Sequence, residues 1–537
     1  MADQTSLSSA AHVYRRLVPQ PVRSVATTTV PRRVRRKLQS SLAQTLRRRE
    51  ARLHRRALRR VRRVELGRSE RRVAAPDSRI GHVHTGLTFD LARRLDLRLV
   101  THALDAAEIP WFAVPALDDR RIALAVDQRD KGAVRRALRA LLEEHTGYVV
   151  SVSPANSDTQ SIPGSHVKAW KHFGKARVIR LVWLRTDPTE NLWLGDDQGI
   201  EIEFWTHNTD LPQERLVGPR PNRVQRAVPA DAHGIEIALD RLSGYCDIEG
   251  DMEPTVTLEH FDVPRLEEVT FPVDAVLLWQ HPTLWGEELL RAALRSVHQY
   301  APWIDVVHVV AQAPVPGWLH SDDRLSIVPA GPGAEWQLHQ LPDVAEHFVL
   351  LRPGALFGRP VRPFDYFGPH GVTRPRRGRW TAEESFAPWT RAAYTATGSV
   401  TAHGYAGGPQ PHRCATLERL TQSVSATLPL FDGQTVPAIP GGHPLDSVLH
   451  HIGYTSAIAD PSGEASTALH AALPGIDLRL ERLLVRRDTQ QIQFYGLGDQ
   501  RALDQGGTEA VIRFLRRYYP VRSIFERGAS RESGNQS

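Results

Sequence analysis

The chain has 537 residues, too many for one simple core, so two or three domains are expected. Its net charge of +8 averages two unlike parts: residues 31–72 hold 17 Arg, one Lys and three Glu, a net of +15, which leaves −7 for the rest. That partition disfavours a uniformly basic nucleic-acid-binding protein, and no apolar stretch approaches the roughly 18 residues that a membrane span needs.

The N-terminus does not read as a secretory signal, because its charged segment is followed by more charge and no apolar region. Cys246 and Cys414 give neither a zinc spacing nor a disulfide framework, which fits a cytoplasmic protein. Residues 1–30 have no lasting period and read as a disordered tail. Residues 31–75 read as an Arg-rich amphipathic helix, with Leu38, Leu42, Leu46, Leu53, Leu58 and Val61 mostly at helical spacing. Such a helix can rest on anionic lipid at the inner face of the cell membrane, where each basic residue contributes about 1 kcal/mol. It can also bind RNA, pack on an acidic partner, or be a solvated extension.

A composition shift near Ala75–Gly81 opens a smaller α/β or α+β domain, residues 80–265. Its first half reads helix, strand (WFAV), strand (RIALAV) and helix (KGAVRRALRALLEE). Further strands follow in ARVIRLVWLR and GIEIEFWTH. Asp127, Asp130, Glu201 and Glu203 lie on or beside these strands. Alternating acids on a strand either hold a metal or mark a face turned to water. Pro219–Arg223, PRPNR, reads as an ordered loop without an evident role.

A new α/β pattern starts near residue 270. The strand VDAVLLW, the helix GEELLRAALRSVHQYAP and the strand DVVHVVAQ make a parallel βαβ unit, and HFVLL adds another strand. Pro- and Gly-rich stretches at 369–412 and 429–463 read as long loops or insertions. The strand QQIQFYGLGD and the helix GTEAVIRFLRRYYP close the domain, with a polar disordered tail over 528–537.

Four stretches of residues 270–527 resemble, in order, the conserved blocks of the Stealth family of capsular and exopolysaccharide sugar-1-phosphate transferases. RAALRSVHQYAPWIDVVHVVAQAPVPGWL is similar to the second half of the first block. LHQLPDVAEHFVLLRPGALFGRPVRPFDYF resembles the second, GGPQPHRCATLERL the third, and FYGLGD with FLRRYYPVRSIFE the fourth. The resemblance implies an α/β domain like those of nucleotide-diphospho-sugar transferases, preceded by the accessory domain of actinobacterial members. It implies transfer of a sugar-1-phosphate from a nucleotide sugar to a glycan hydroxyl.

Such transfer needs a cation on the diphosphate, a base for the acceptor proton and a held in-line geometry. Gapless placement shows many of the family's chemical positions replaced. The Asp of Trp-Val-Asp-Gly becomes His281, behind Trp279 and Gln280. The Asn-Asp-Asp becomes Arg352, Pro353 and Gly354. Two His become Pro332 and Gly407, and Asn-Asp becomes Gly498 and Asp499. The residues that keep their place, such as Leu294, Tyr300, Trp303, Trp318, Phe357 and Phe525, are packing residues.

Asp499 and Arg291 are the candidate catalytic residues, and Trp279, His281, Glu335 and Arg352 the candidate substrate-binding residues. Bland roles stand beside these: a structural ion pair for Arg291, a cap on the helix from Gly507 for Asp499, and a loop His facing solvent for His281. The other His residues, at 403, 412, 443, 450 and 451, form no metal-binding spacing. Two readings follow: a divergent transferase using Mg2+, or a silent Stealth-fold protein with no cofactor that binds a nucleotide sugar, a glycan or an active paralogue.

Overall fold

The structure, a computed structural model, describes residues 71–118, 120–152, 161–209, 213–245, 254–280, 282–320, 323–331, 333–376, 394, 398–399, 408–424, 444–460, 476–488 and 505–527. The chain forms two compact units, one ending at Val83 and one beginning at His84. The two tails and most of the Arg-rich segment lie outside the described residues.

In the first unit, β1 (Arg72–Ala74) pairs antiparallel with β2 (Ile80–Val83), so the last residues expected in the Arg-rich helix form a strand instead. Pro76 explains the change, since a proline disfavours helix in the residue before it and donates no hydrogen bond. Ser78, at φ 71°, turns the chain, and Asp77 accepts from the backbone N–H of Arg79 at 3.0 Å.

The second unit begins with the accessory domain. Its elements in order are α1 (Phe89–Asp105), β3 (Trp111–Val114), β4 (Ile122–Asp127), α2 (Lys131–Glu144), β5 (Tyr148–Ser151), β6 (Ser161–Pro163), α3 (Val167–His172), β7 (Val178–Val182), β8 (Leu184–Thr186), β9 (Trp193–Leu194), β10 (Ile200–Asn208), β11 (Arg215–Val217), β12 (Ala227–Pro229), β13 (Gly234–Ala238) and β14 (Pro254–Leu258). A mixed sheet runs β13-β14-β3-β4-β10-β7-β5-β6, with β11 and β12 added beside β10. Thr88 caps α1 by accepting from Leu91 N–H. Leu97, Val100 and Leu104 of α1 and Val134, Leu138 and Leu141 of α2 bury their apolar stripes against Ile122, Leu124, Ile200 and Ile202 on one face of this sheet. Trp205, Phe261 and Val228 lie in a smaller core on the other face.

The Stealth-like domain follows with β15 (Val273–Trp279), α4 (Leu284–Tyr300), β16 (Val307–Ala311), β17 (Leu325–Pro329), β18 (His347–Leu351), β19 (Gln410–Arg413), α5 (Cys414–Val424), α6 (Pro444–Thr455), α7 (Ile476–Asp488) and α8 (Gln505–Tyr518). Its sheet runs β17-β16-β15-β18-β19, with four parallel strands and β19 antiparallel. β15 and β18 are buried along their whole length, as parallel strands covered on both faces must be. Val273, Ala275, Leu277 and Trp279 face a core shared with α4, α7 and α8, while Val276, Leu278, Phe348 and Leu350 face α5 and α6. The result is a three-layer α/β/α domain.

Two segments differ from the sequence reading. The stretch read as a loop over 429–463 contains α6, which buries Leu445, Val448, Leu449 and Ile452 at helical spacing. The stretch over 369–412 ends in β19. Flanking Pro and Gly hid both elements.

Candidate functional site

The acidic strand of the accessory domain is neither turned to water nor built for a metal. Glu201 and Glu203 are 3% and 2% exposed on β10, on the face away from α1 and α2. Arg180 of β7 donates to Glu201 Oε1 through Nε at 2.9 Å and Nη2 at 2.7 Å. Arg220, from the PRPNR loop, donates to Glu203 Oε1 at 2.6 Å and also to Glu201 Oε2. Trp205 Nε1 donates to the remaining Glu203 oxygen at 3.0 Å. Burial works against the charge of Glu201, but Arg220 and then Arg180 outweigh it and hold the carboxyl below its usual range. Asp127 accepts from Arg129 at 2.8 Å and lies 3.0 Å from His207 Nε2. Asp130 precedes α2 without a side-chain capping bond.

The second candidate region follows from topology. In the Stealth-like sheet β15 comes first in the chain, yet its neighbours are the second strand on one side and the fourth on the other. Chain order therefore reverses between β15 and β18. In open α/β sheets a ligand crevice lies at the carboxyl ends of the strands at such a switch point. The residues just beyond those ends are Gln280 and Arg352.

Arg352, Pro353 and Gly354 make a tight turn here. Ala355 N–H donates to Arg352 O at 2.8 Å and Gly354 has φ 85°. Proline second and glycine third is what a type II turn requires. The two positions that lost carboxylates therefore serve backbone geometry.

The Arg352 side chain lies between two carboxylates from distant segments. Nη1 donates to Glu335 Oε2 at 2.8 Å, Nε to Asp446 Oδ2 at 3.1 Å and Nη2 to Asp446 Oδ1 at 3.3 Å. Burial opposes the guanidinium charge, but Asp446 and then Glu335 outweigh it and push its pKa up. Asp446 Oδ1 lies 2.9 Å from His412 Nε2, and the His412 ring stacks on His450 at 4.7 Å. Burial, and then the charge of His412, hold His450 well below its usual pKa. His450 Nε2 lies 3.1 Å from Gln410 Oε1.

Thus Glu335 and Arg352 come together, while the other expected site residues do not join them. Trp279 is 3% exposed and its indole N–H donates to Pro314 O at 3.0 Å, which pins the loop after β16. Arg291 pairs with Glu288 at 2.8 Å, reaches Glu526 at 3.5 Å and stacks on Trp318 at 4.4 Å. That geometry matches the structural ion pair among its two roles. Arg295 makes a bidentate pair with Glu526 at 2.7 and 2.8 Å, and Arg516 donates to Glu288. This network ties α4, α8 and the C-terminal segment together. His281 and Asp499 lie outside the described residues.

Sequence reasoning missed Asp446, His412, His450 and Gln410 as members of the polar network. The many histidines were visible, but no local motif joins β19 to α6.

A magnesium ion wants an octahedron of oxygens. Between Glu335 and Asp446 that space is taken by the Arg352 guanidinium. Among the described residues, no group of three or more His, Cys, Asp or Glu side chains is placed to hold a metal. These residues do not fit Mg2+.

Comparison with known proteins bears on this geometry directly. The family described as "Stealth protein CR2, conserved region 2" matches residues 285–374, from α4 through the Arg352 turn. The exopolysaccharide phosphotransferase SCO6022 of Streptomyces coelicolor is 74% identical over 526 residues, covering 98% of this chain and 97% of that protein. The chain belongs to the Stealth family. A second Streptomyces coelicolor member, exopolysaccharide phosphotransferase SCO6023, is 29% identical across 97% of this chain and 98% of its own length. Exopolysaccharide phosphotransferase CpsY of Mycobacterium tuberculosis is 25% identical over 55% of this chain and 60% of its own length. The likeness to the two Streptomyces coelicolor proteins covers the accessory domain as well as the switch-point domain, whereas the family model lies within the switch-point domain. Among the described residues, no helix is long and apolar enough to cross a membrane.

Proposed function

We propose that this Stealth protein works in exopolysaccharide assembly as a phosphotransferase whose switch-point crevice, in a nucleotide-diphospho-sugar-transferase-like domain, takes a nucleotide sugar. A hydroxyl oxygen of the growing glycan attacks the phosphorus next to the sugar. The bond between the two phosphates breaks and nucleoside monophosphate leaves, with the acceptor proton passing to a base. The observation that carries this reading is the convergence of Glu335 and Arg352 at the carboxyl end of β18, beside the chain-order reversal. Full-length likeness to a protein named as an exopolysaccharide phosphotransferase supports the same reaction.

One observation favours a second reading, binding without transfer to the glycan. Pro353 and Gly354 stand where the family's paired carboxylates stood, and Arg352 beside them is held by Glu335 and Asp446. A silent member would bind the nucleotide sugar or glycan alongside an active paralogue. Incubating the protein with nucleotide sugar and acceptor polysaccharide separates the two. Nucleoside monophosphate with polymer-bound sugar phosphate supports transfer, whereas bound but unconverted nucleotide sugar supports the silent reading. Mg2+ belongs to the transfer reading alone.

The basic segment 31–72 supports peripheral attachment to anionic lipid on the cytoplasmic face. Co-sedimentation of the full chain with phosphatidylglycerol vesicles that weakens with salt is the expected result. No sedimentation at low salt contradicts it.

A further inference from the structure

The helices on one side of the Stealth-like sheet form a layer whose order follows from their ion pairs. Arg516 of α8 reaches sideways to Glu288 of α4, and Arg517 reaches the other way to Glu481 of α7. The chain beyond α8 then folds back over α4, where Glu526 takes the bidentate pair from Arg295. α7, α8 and this C-terminal segment bury Leu480, Leu483, Phe514, Leu515 and Phe525 in the core, so the side chains opposite face outward.

Those outward side chains are mostly arginine. Arg479 and Arg482 of α7, Arg513 of α8, and Arg522 and Arg527 beyond it are exposed, and they have no ion-pair partner among the described residues. The exposed acids described on the same elements are Glu481, already paired with Arg517, and Glu509. Five arginines therefore stand against one carboxylate outside an ion pair, on a body whose residues outside 31–72 sum to −7. Like charges gathered on one face repel one another, and an anionic partner relieves that repulsion.

A second feature separates kinds of anion. Leu284 is 66% exposed at the start of α4. At helical spacing it lies in line with Arg291 and Arg295, the stripe that the C-terminal segment covers further along. Leu284 is therefore on the same outer side as the arginines. A soluble polyanion gains nothing from an exposed leucine. A lipid surface takes both, the basic side chains at its headgroups and the apolar one below them. Leu284 also stands just beyond β15, at the end of the sheet where the switch-point crevice lies.

We propose that the outer side of this layer is a second docking surface for anionic lipid, and that docking brings the mouth of the switch-point crevice to the lipid. The proposal rests on the reading that the chain attaches peripherally to anionic lipid, and it adds a folded surface to the segment 31–72. Two weak signals together give a stable attachment that one does not.

Co-sedimentation of the full chain with vesicles of phosphatidylglycerol in phosphatidylcholine tests the proposal, with dextran sulfate as a soluble polyanion for comparison. The face variant carries Arg479→Gln, Arg482→Gln, Arg513→Gln, Arg522→Gln and Arg527→Gln. It breaks no ion pair, so its melting temperature should match the wild type. The segment variant carries Arg55→Gln, Arg56→Gln, Arg59→Gln, Arg60→Gln and Arg62→Gln. The face variant is expected to partition onto vesicles at least about tenfold more weakly at low salt. Leu284→Ser should partition about threefold more weakly and bind dextran sulfate as before. A face variant that sediments like the wild type while the segment variant does not overturns the proposal alone. The reverse pattern upholds the proposal and removes residues 31–72 from the attachment. Loss of dextran sulfate binding with vesicle binding intact overturns the proposal and assigns the face to an anionic glycan. A wild-type protein that does not sediment at low salt overturns the parent reading and this one with it.

Discussion

Two regions of this molecule bury carboxylates against arginine, and they do so to different ends. On β10 two glutamates meet two arginines and an indole N–H, and each of the four carboxylate oxygens has a partner. At the carboxyl end of β18 two carboxylates meet one arginine whose donors are not all spent, and the outer pair stays partly exposed. The first arrangement is balanced and closed, so its job is to latch the PRPNR loop onto the sheet. The second leaves its outer pair partly exposed, which suits a surface that must accept a ligand. A buried acid on a strand is thus poor evidence for a metal site until its counter-charges have been counted.

The largest expected effect sharpens the second region. Asp446→Ala leaves Arg352 with Glu335 alone and removes the acceptor beside His412. It should cost about 3–5 kcal/mol in chemical denaturation, the range for breaking a buried pair. A loss below about 1 kcal/mol would mean that the pair is not formed in solution.

Next comes the closed region. Arg220→Ala strips one partner from each glutamate of β10 and should cost about 2–3 kcal/mol, by the same reasoning applied to a partly exposed arginine. Sugar-nucleotide affinity should not change. If affinity falls with stability unchanged, the two regions are not separate in role.

Acid titration gives a smaller effect. The Glu201 carboxyl is held below the usual glutamate value of 4.5. Its contribution is therefore full above that value and is lost as pH falls through the depressed folded value. The wild type should lose stability more steeply than Glu201→Gln below about pH 4.5. Parallel curves would deny the depressed pKa.

Arg291→Lys should do least. The contacts of Arg291 with Glu288, Glu526 and Trp318 are partly exposed, so about 1 kcal/mol or less is expected, with unchanged sugar-nucleotide affinity. A large fall in affinity would return Arg291 to the binding site.

Much of this architecture could be read from the chain. The run VDAVLLW is apolar throughout and becomes the central strand β15, while KGAVRRALRALLEE carries a helical stripe and becomes α2 with the same bounds. What escaped the sequence depended on distance along it. Arg352 and Asp446 are 94 residues apart, and His412 and Asp446 are 34 apart, so no spacing rule links them. Likewise, Glu201 and Glu203 alternate visibly, but their neutralising Arg220 stands in a loop whose role only the fold reveals. The turn at Pro353–Gly354 was legible as a loss of carboxylates. That the lost positions had taken up backbone duties required the φ of Gly354.

The most direct test of the account follows nucleoside monophosphate in a reaction of full-length protein, nucleotide sugar, acceptor polysaccharide and Mg2+. The account predicts monophosphate released together with sugar phosphate joined to the polymer, with turnover lowered by Glu335→Gln. Nucleotide sugar that binds and is never converted would contradict it.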